Sequence, residues 1–301
     1  MPQQLSYGPK VPPANTPLTN DIESPWRDAW RGLRRNKLAM IGAVIIVFFV
    51  LIALLAPLLT NYDHTTPVLE DRLLPPSSTH WFGTDDLGRD LFARIVYGAR
   101  TSLTVGFVSV IVSMIAGSFL GILAGYYGRW VDMLISRFFD ILLAFPGILL
   151  AIAVVSALGP SLENALLAIA IVNIPTFGRL VRSKVLSLKE EEFIMAARAQ
   201  GMKDRRILFI HLLPNSLAPI MVQGTLSIGT AIIEAAALGF LGLGAQPPAA
   251  EWGKMISDSR QFFEQEPWTV IFPGVSIMLV VLGFNLLGDG LRDVLDPRLK
   301  N

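Results

Sequence analysis

The chain contains no cysteine. Disulfides, thiolate metal sites and a cysteine nucleophile are therefore excluded. Charge is scarce as well: 16% of residues are Asp, Glu, Lys or Arg, against about 25% in soluble domains. The three histidines, His64, His80 and His211, stand far apart in expected loops, without metal-ligand spacing. No G-x-x-x-x-G-K-[ST] phosphate loop is present, so ATP is not bound by this chain in that manner. The apolar segments hold no H-E-x-x-H and no nucleophile–base pair, which leaves a membrane enzyme without machinery. A net charge of +1 offers no basic surface for nucleic acid. The expectation is a chain with no catalytic residue, no metal and no cofactor of its own.

What the chain has in abundance is apolar sequence: 52% of its 301 residues, with a mean hydropathy of +0.52. A membrane span needs roughly 20 apolar residues, since ~30 Å of hydrocarbon is crossed at ~1.5 Å per residue. Six segments qualify: Leu38–Leu59, Thr101–Gly125, Ile141–Leu158, Leu162–Val181, Ser216–Leu241 and Thr269–Gly288. The third is short, and Asn173 and Pro175 interrupt the fourth. The fold class is all-α, a polytopic membrane protein of about six transmembrane helices. Residues 1–37 read as a cytoplasmic tail, proline-rich and polar at first. It ends in an amphipathic helix that starts at Ser24-Pro25 and lies on the inner leaflet. Residues 38–301 form the transmembrane domain.

Lysine and arginine orient it. With the N-terminus inside, inner segments carry 19 of the 25 Lys and Arg residues, counting Arg179 with the loop it adjoins, and outer loops carry 6. The positive-inside bias therefore puts both termini in the cytoplasm. Trp81, Trp252 and Trp268 fall in or beside outer loops, where aromatic belts sit.

Within the spans, Gly117, Gly121 and Gly125 recur at every fourth residue. They share one helix face and let another backbone approach closely. Glu234 and Gln223 in the fifth span and Asn285 in the sixth are polar groups at depth, candidates for a translocation path because such groups are costly in hydrocarbon. Pro146, Pro175 and Pro273 each remove a helix hydrogen bond and are expected to kink their spans.

The inner loop 182–215 is the most informative stretch. Ser187-Leu-Lys-Glu190 fits a capping box. The expected helix runs through Glu191, Glu192, Phe193 and Ile194 to Ala197 and stops at Gly201, with a second helix over Asp204–Leu212 ending at Pro214. Two short helices joined at a glycine make a charged knob suited to docking.

Met195-Ala196-Ala197-x3-Gly201, followed by Leu213-Pro214, resembles the coupling loop of ABC importer permeases. That family has Glu-Ala-Ala, three residues, Gly, a spacer and Leu-Pro. Met195 stands where the family has glutamate and cannot form the ion pair a glutamate would. Arg198, Lys203, Arg205 and Arg206, with Glu192, are the polar contacts left to the loop. Three further blocks, His80-Trp-Phe-Gly-Thr-Asp-Asp-Leu-Gly-Arg-Asp90, Gly239-Phe-Leu-Gly-Leu-Gly-Ala-Gln-Pro-Pro248 with Glu251-Trp-Gly253, and Leu287-Gly-Asp-Gly-Leu-Arg-Asp-Val-Leu-Asp-Pro297, resemble C-type permeases of dipeptide and oligopeptide importers. The resemblance covers nearly everything from Trp26 onward.

It implies the type I importer permease fold and a bacterial inner-membrane location. The implied partners are a homologous B-type permease, two ATP-binding subunits that hold ATP and Mg, an extracytoplasmic peptide-binding protein, and membrane lipid. Glutathione and chelated nickel are alternative cargoes for importers of this type. A proton-coupled secondary transporter is the competing class, but it calls for more intramembrane carboxylates than Glu234 alone.

Overall fold

The computed structural model describes residues 31–295. The expected tail and most of the interfacial helix therefore lie outside the described residues; positions 31–35 are helical. Then follow α1 (Lys37–Leu59), α2 (Leu91–Tyr127), α3 (Arg129–Leu143), α4 (Gly147–Leu158), α5 (Leu162–Leu188), α6 (Glu192–Ala199), α7 (Asp204–Phe240), α8 (Trp252–Ser259) and α9 (Trp268–Leu295). No strand occurs among the described residues beyond one isolated bridge between Thr84 and Asp90. Among the described residues, five helices are long and apolar enough to cross a membrane, and α3 with α4 makes a sixth candidate bent by 90°.

Several helices start on side chains that satisfy their free N–H groups. Asn36 Oδ1 accepts from the N–H of Leu38 and Ala39 at the start of α1. Asp90 accepts from Ala93 at α2, and Ser161 from Asn164 at α5. Each such cap contributes about 1 kcal/mol.

The expected third span, 141–158, is where structure and hydropathy part. Ala144, Phe145 and Pro146 interrupt it, because Pro146 has no N–H and pushes the residue before it out of helical geometry. The segment before the break is α3, whose Trp130, Met133, Leu134, Phe138 and Ile141 form an exposed apolar stripe. Its polar side pairs with α5: Asp132 with Arg182 at 2.5 Å and Asp140 with Arg179 at 2.7 Å. Pro175 and Pro273, in contrast, sit inside unbroken helices, and so do Pro57 and Pro219. Asn173 does not interrupt α5 either; its Nδ2 donates to the Ile169 carbonyl one turn back at 3.0 Å.

The chain's path sets the direction of each long helix. Gly125, at the far end of α2, packs on Val185 and Arg182 near the far end of α5, so the two helices run parallel. Between them the chain returns to the other end of the bundle through α3–α4, with α4 covering ~18 Å by its rise. The starts of α1 and the end of α9 meet: Asn36 Nδ2 donates to Asp293 Oδ2 at 3.3 Å, and Gly290 abuts Ala39. Both ends of the described chain lie on the side that carries α6.

Three apolar clusters hold the bundle. One packs α1, α2, α7 and α9 around Trp252 of α8. A second joins α2, α4, α5 and α7 at mid-depth. The third ties α6 and the start of α7 to the ends of α2 and α5 through Ile194, Ile207, Leu212, Val181 and Val185.

Candidate functional site

The knob is built on buried apolar anchors. Helix α6 turns Ile194 and Ala197 inward, at 0% and 6% exposure, and leaves Glu192, Phe193, Met195, Ala196 and Arg198 outside. Its end is a Schellman motif. The Met202 N–H reaches the Ala197 carbonyl at 3.1 Å, and the Gly201 N–H reaches Arg198 at 2.9 Å. That closure needs Gly201 at φ +73°, a conformation glycine adopts without penalty.

Two local expectations fail here. Ser187 is not a cap; it belongs to the last turn of α5, which extends to Leu188, and Glu191 precedes α6 without a side-chain cap bond. The tertiary contacts of Val185 and Leu188 with Ile194 and Ile207 carry α5 past its apolar segment. Pro214 does not end the second helix. The chain runs from Asp204 through a π-helical turn at Ile207–Leu212 straight into α7. The wider turn lets the Leu213 N–H reach the Leu208 carbonyl, and nearby carbonyls find side-chain donors: Asn215 Nδ2 to His211 at 2.6 Å and Ser216 Oγ to Leu212 at 2.8 Å. Proline is thereby accommodated at the join.

Three polar groups from three elements latch the knob to the spans. The Tyr126 hydroxyl, at the end of α2, donates to Asp204 Oδ1 at 2.6 Å. The Arg198 guanidinium of α6 lies 5.0 Å from the Tyr126 ring centroid. These contacts tie α6 to α2 and to the start of α7. Lys203, Arg205 and Arg206 are exposed beside this latch, as is Met195 at 51%. The exposed surface is an apolar centre of Phe193 and Met195 rimmed by charge, a composition typical of protein contacts.

The candidate path residues do not form one site. Glu234 Oε2 accepts from Asn173 Nδ2 at 3.1 Å, joining α7 to α5. Gln223, about three turns before Glu234 on α7, donates to Ser227 Oγ at 3.1 Å. Asn285 of α9 faces Gly229 of α7. The glycine face of α2 meets α5: a Cβ at Gly117 would lie 2.5 Å from the Ile174 carbonyl, one at Gly121 would strike the Gly178 carbonyl, and one at Gly125 would lie 2.8 Å from Val185.

Sequence reasoning missed the structural role of the outer blocks. In His80–Asp90, Asp85 binds Arg89 at 2.8 Å and Arg94 at 3.2 Å, while His80 Nδ1 and Asp90 Oδ2 are 2.9 Å apart, all buried. Glu251, 2% exposed, caps α8 by accepting from the N–H of Gly253 and Lys254 at 2.8 Å each. Burial pushes its carboxyl up to about 7. Trp252 Nε1 donates to the Ile95 carbonyl of α2 at 3.1 Å. The Gly–Thr–Asp–Asp–Leu–Gly run and the Glu-Trp-Gly triplet were the available signals, since tight turns and close approach call for such residues.

A family model described as binding-protein-dependent transport system inner membrane component matches residues 117–301. One described as the N-terminal TM domain of oligopeptide transport permease C matches residues 24–76. The dipeptide transport system permease protein DppC of Alkalihalophilus pseudofirmus is 67% identical over 294 residues, 97% of each chain. The glutathione transport system permease protein GsiD of Pectobacterium atrosepticum is 48% identical over 291 residues, 96% of this chain and 97% of that one. Among solved structures, the methionine ABC transporter MetNI in an inward-facing conformation aligns with a TM-score of 0.55 at 20% identity, covering 68% of this chain and 97% of that one.

Proposed function

The chain belongs to the binding-protein-dependent transport system inner membrane components, and from that premise we propose that it is the C-type permease of an ATP-driven importer of dipeptides or short oligopeptides. It has the all-α, type I ABC importer permease fold, and it is a transport permease rather than an enzyme. The near-full-length likeness to the Alkalihalophilus dipeptide permease carries the substrate reading. Glutathione is the second reading, supported by the Pectobacterium relative; both cargoes are short peptides with a free carboxylate.

In this reading the chain forms half of a path with a homologous B-type permease. Two ATP-binding subunits holding ATP and Mg dock on α6 from the cytoplasm, and an extracytoplasmic binding protein delivers peptide to the other side. Both termini are cytoplasmic, in the bacterial inner membrane. Met195 and Phe193 seat in the ATPase, Met195 by adaptable packing where a glutamate would make an ion pair. Arg198, Arg205 and Arg206 supply the polar rim. Closure of the ATPases pushes α6, and the Tyr126–Asp204–Arg198 latch passes the displacement to α2 and α7, whose other end carries Glu234. Reconstitution with the partner subunits tests the reading: ATP-dependent uptake of labelled dialanine is expected, and uptake driven by a proton gradient without ATP overturns it.

A further inference from the structure

A cavity of about 540 Å³ opens on the knob side, between α5, α7 and α9. That volume lies within the range of small-ligand sites, roughly 300–1,000 Å³. Its wall is aliphatic, with Leu180, Pro219, Val222 and Leu226 prominent, and its polar groups are Lys184, Arg292, Asn215 and Gln223.

Two cations line it, Lys184 half-buried and Arg292 exposed. Their neighbours are paired: Arg179 with Asp140 and Arg182 with Asp132, on the same helix as Lys184. Asp293, next to Arg292, accepts from Asn36 instead. Lys184 and Arg292 make no ion pair and no side-chain hydrogen bond among the described residues. Two unpaired cations beside an apolar wall favour an anion, because charge-assisted hydrogen bonds are roughly twice as strong as neutral ones. The amides add acceptors. Asn215 and Gln223 spend their NH₂ groups on His211 and Ser227, which leaves their carbonyl oxygens for donors on the ligand. Cations for a carboxylate, acceptors for N–H groups and an aliphatic wall together match a short peptide better than an anionic lipid such as phosphatidylglycerol, whose headgroup brings no N–H.

We propose that this cavity is a release-side binding site for the translocated peptide, in which Lys184 and Arg292 hold its C-terminal carboxylate. The proposal rests on the peptide-import reading and adds a site on the permease itself, distinct from Glu234 and from the docking knob.

The test uses the assembled transporter in phosphatidylcholine nanodiscs, without binding protein. Equilibrium binding of labelled dialanine is compared with that of its C-terminal amide, and lipid retention is measured in parallel discs containing phosphatidylglycerol. The wild type is expected to bind the acid roughly tenfold more tightly than the amide, and Lys184→Met/Arg292→Met to lose that preference. The charge-keeping pair Lys184→Arg/Arg292→Lys should retain it. Equal binding of acid and amide by the wild type overturns the proposal whether or not the methionine variant assembles, and so does an undiminished preference in that variant. Loss of phosphatidylglycerol retention without any dialanine binding assigns the cations to a lipid headgroup and also overturns it. Absence of ATP-driven dialanine uptake by the complete importer instead brings down the import reading; intact uptake with indifferent cavity variants brings down only this inference.

Discussion

Gly201 shows how one backbone angle can carry a function. Nothing lies within 4 Å of the position a Cβ would take, and φ is +73°, so the cost of a side chain there is purely conformational. For an ordinary L-residue that cost is about 1–2 kcal/mol, while asparagine tolerates the region. Gly201→Val should open the Schellman closure and tilt α6 while leaving the spans intact. Peptide uptake per ATP hydrolysed is expected to fall severalfold with normal membrane insertion, and Gly201→Asn to lie near wild type. Uptake and ATPase stimulation unchanged in the valine variant would remove α6 from the coupling role. Glu251 makes the residue-scale argument for pH. Its ordinary value of 4.5 is raised to about 7 by burial. Below 4.5 the group is protonated folded or unfolded, and burial costs nothing extra. As pH rises to 7 the unfolded chain ionises and the folded one does not, so stability falls, by about 3 kcal/mol in all. The midpoint of thermal inactivation should therefore drop between pH 5 and 7, and Glu251→Gln should abolish that slope.

At the scale of elements, the α2–α5 contact depends on the absence of side chains. Gly121 packs against the Gly178 backbone carbonyl, which cannot yield as a flexible side chain can. Gly121→Leu must separate the helices, at a cost of about 3 kcal/mol or more, and the protein should fail to accumulate in membranes. Gly274 of α9 faces open space, so Gly274→Ala should be neutral or slightly stabilising; equal accumulation of both variants would contradict the packing. The glycine register was legible because three residues at a spacing of four mark a helix face. The stop at Gly201 was legible for the same reason, a residue type tied to one backbone conformation. Ser187 and Pro214 carry local signals for a cap and a break that tertiary packing overrides. Val185, Leu188 and Ile207 extend α5 beyond its hydropathy, and a π turn absorbs the proline. The outer knot of Asp85, Arg89 and Arg94 was illegible for a different reason. Its charges are close in sequence, Asp85 and Arg89 four residues apart, but the pair forms in a loop before α2, where no helix period announces the contact.

For the whole molecule, hydropathy marked six spans but hid the break inside the third. The third apolar segment, Ile141–Leu158, looks continuous, yet the chain turns by 90° near its start, at Ala144–Pro146. What restores the count is geometry. α2 and α5 run parallel, Tyr126 touches Asp204, and both described ends lie on the side of α6. An even number of crossings follows only if α4 emerges on the face opposite the knob. A re-entrant α3–α4 would return the chain to the knob side and make α5 antiparallel to α2. The chain has no cysteine, so single cysteines report topology without a background. Leu158→Cys, at the exposed end of α4, and Trp81→Cys in the first outer loop should both react with a membrane-impermeant maleimide in intact cells. Met195→Cys on the knob should react only in inverted vesicles. Labelling of Leu158→Cys from the same side as Met195→Cys would make the bent pair re-entrant, break the parallel packing of α2 on α5, and move the C-terminus to the outside.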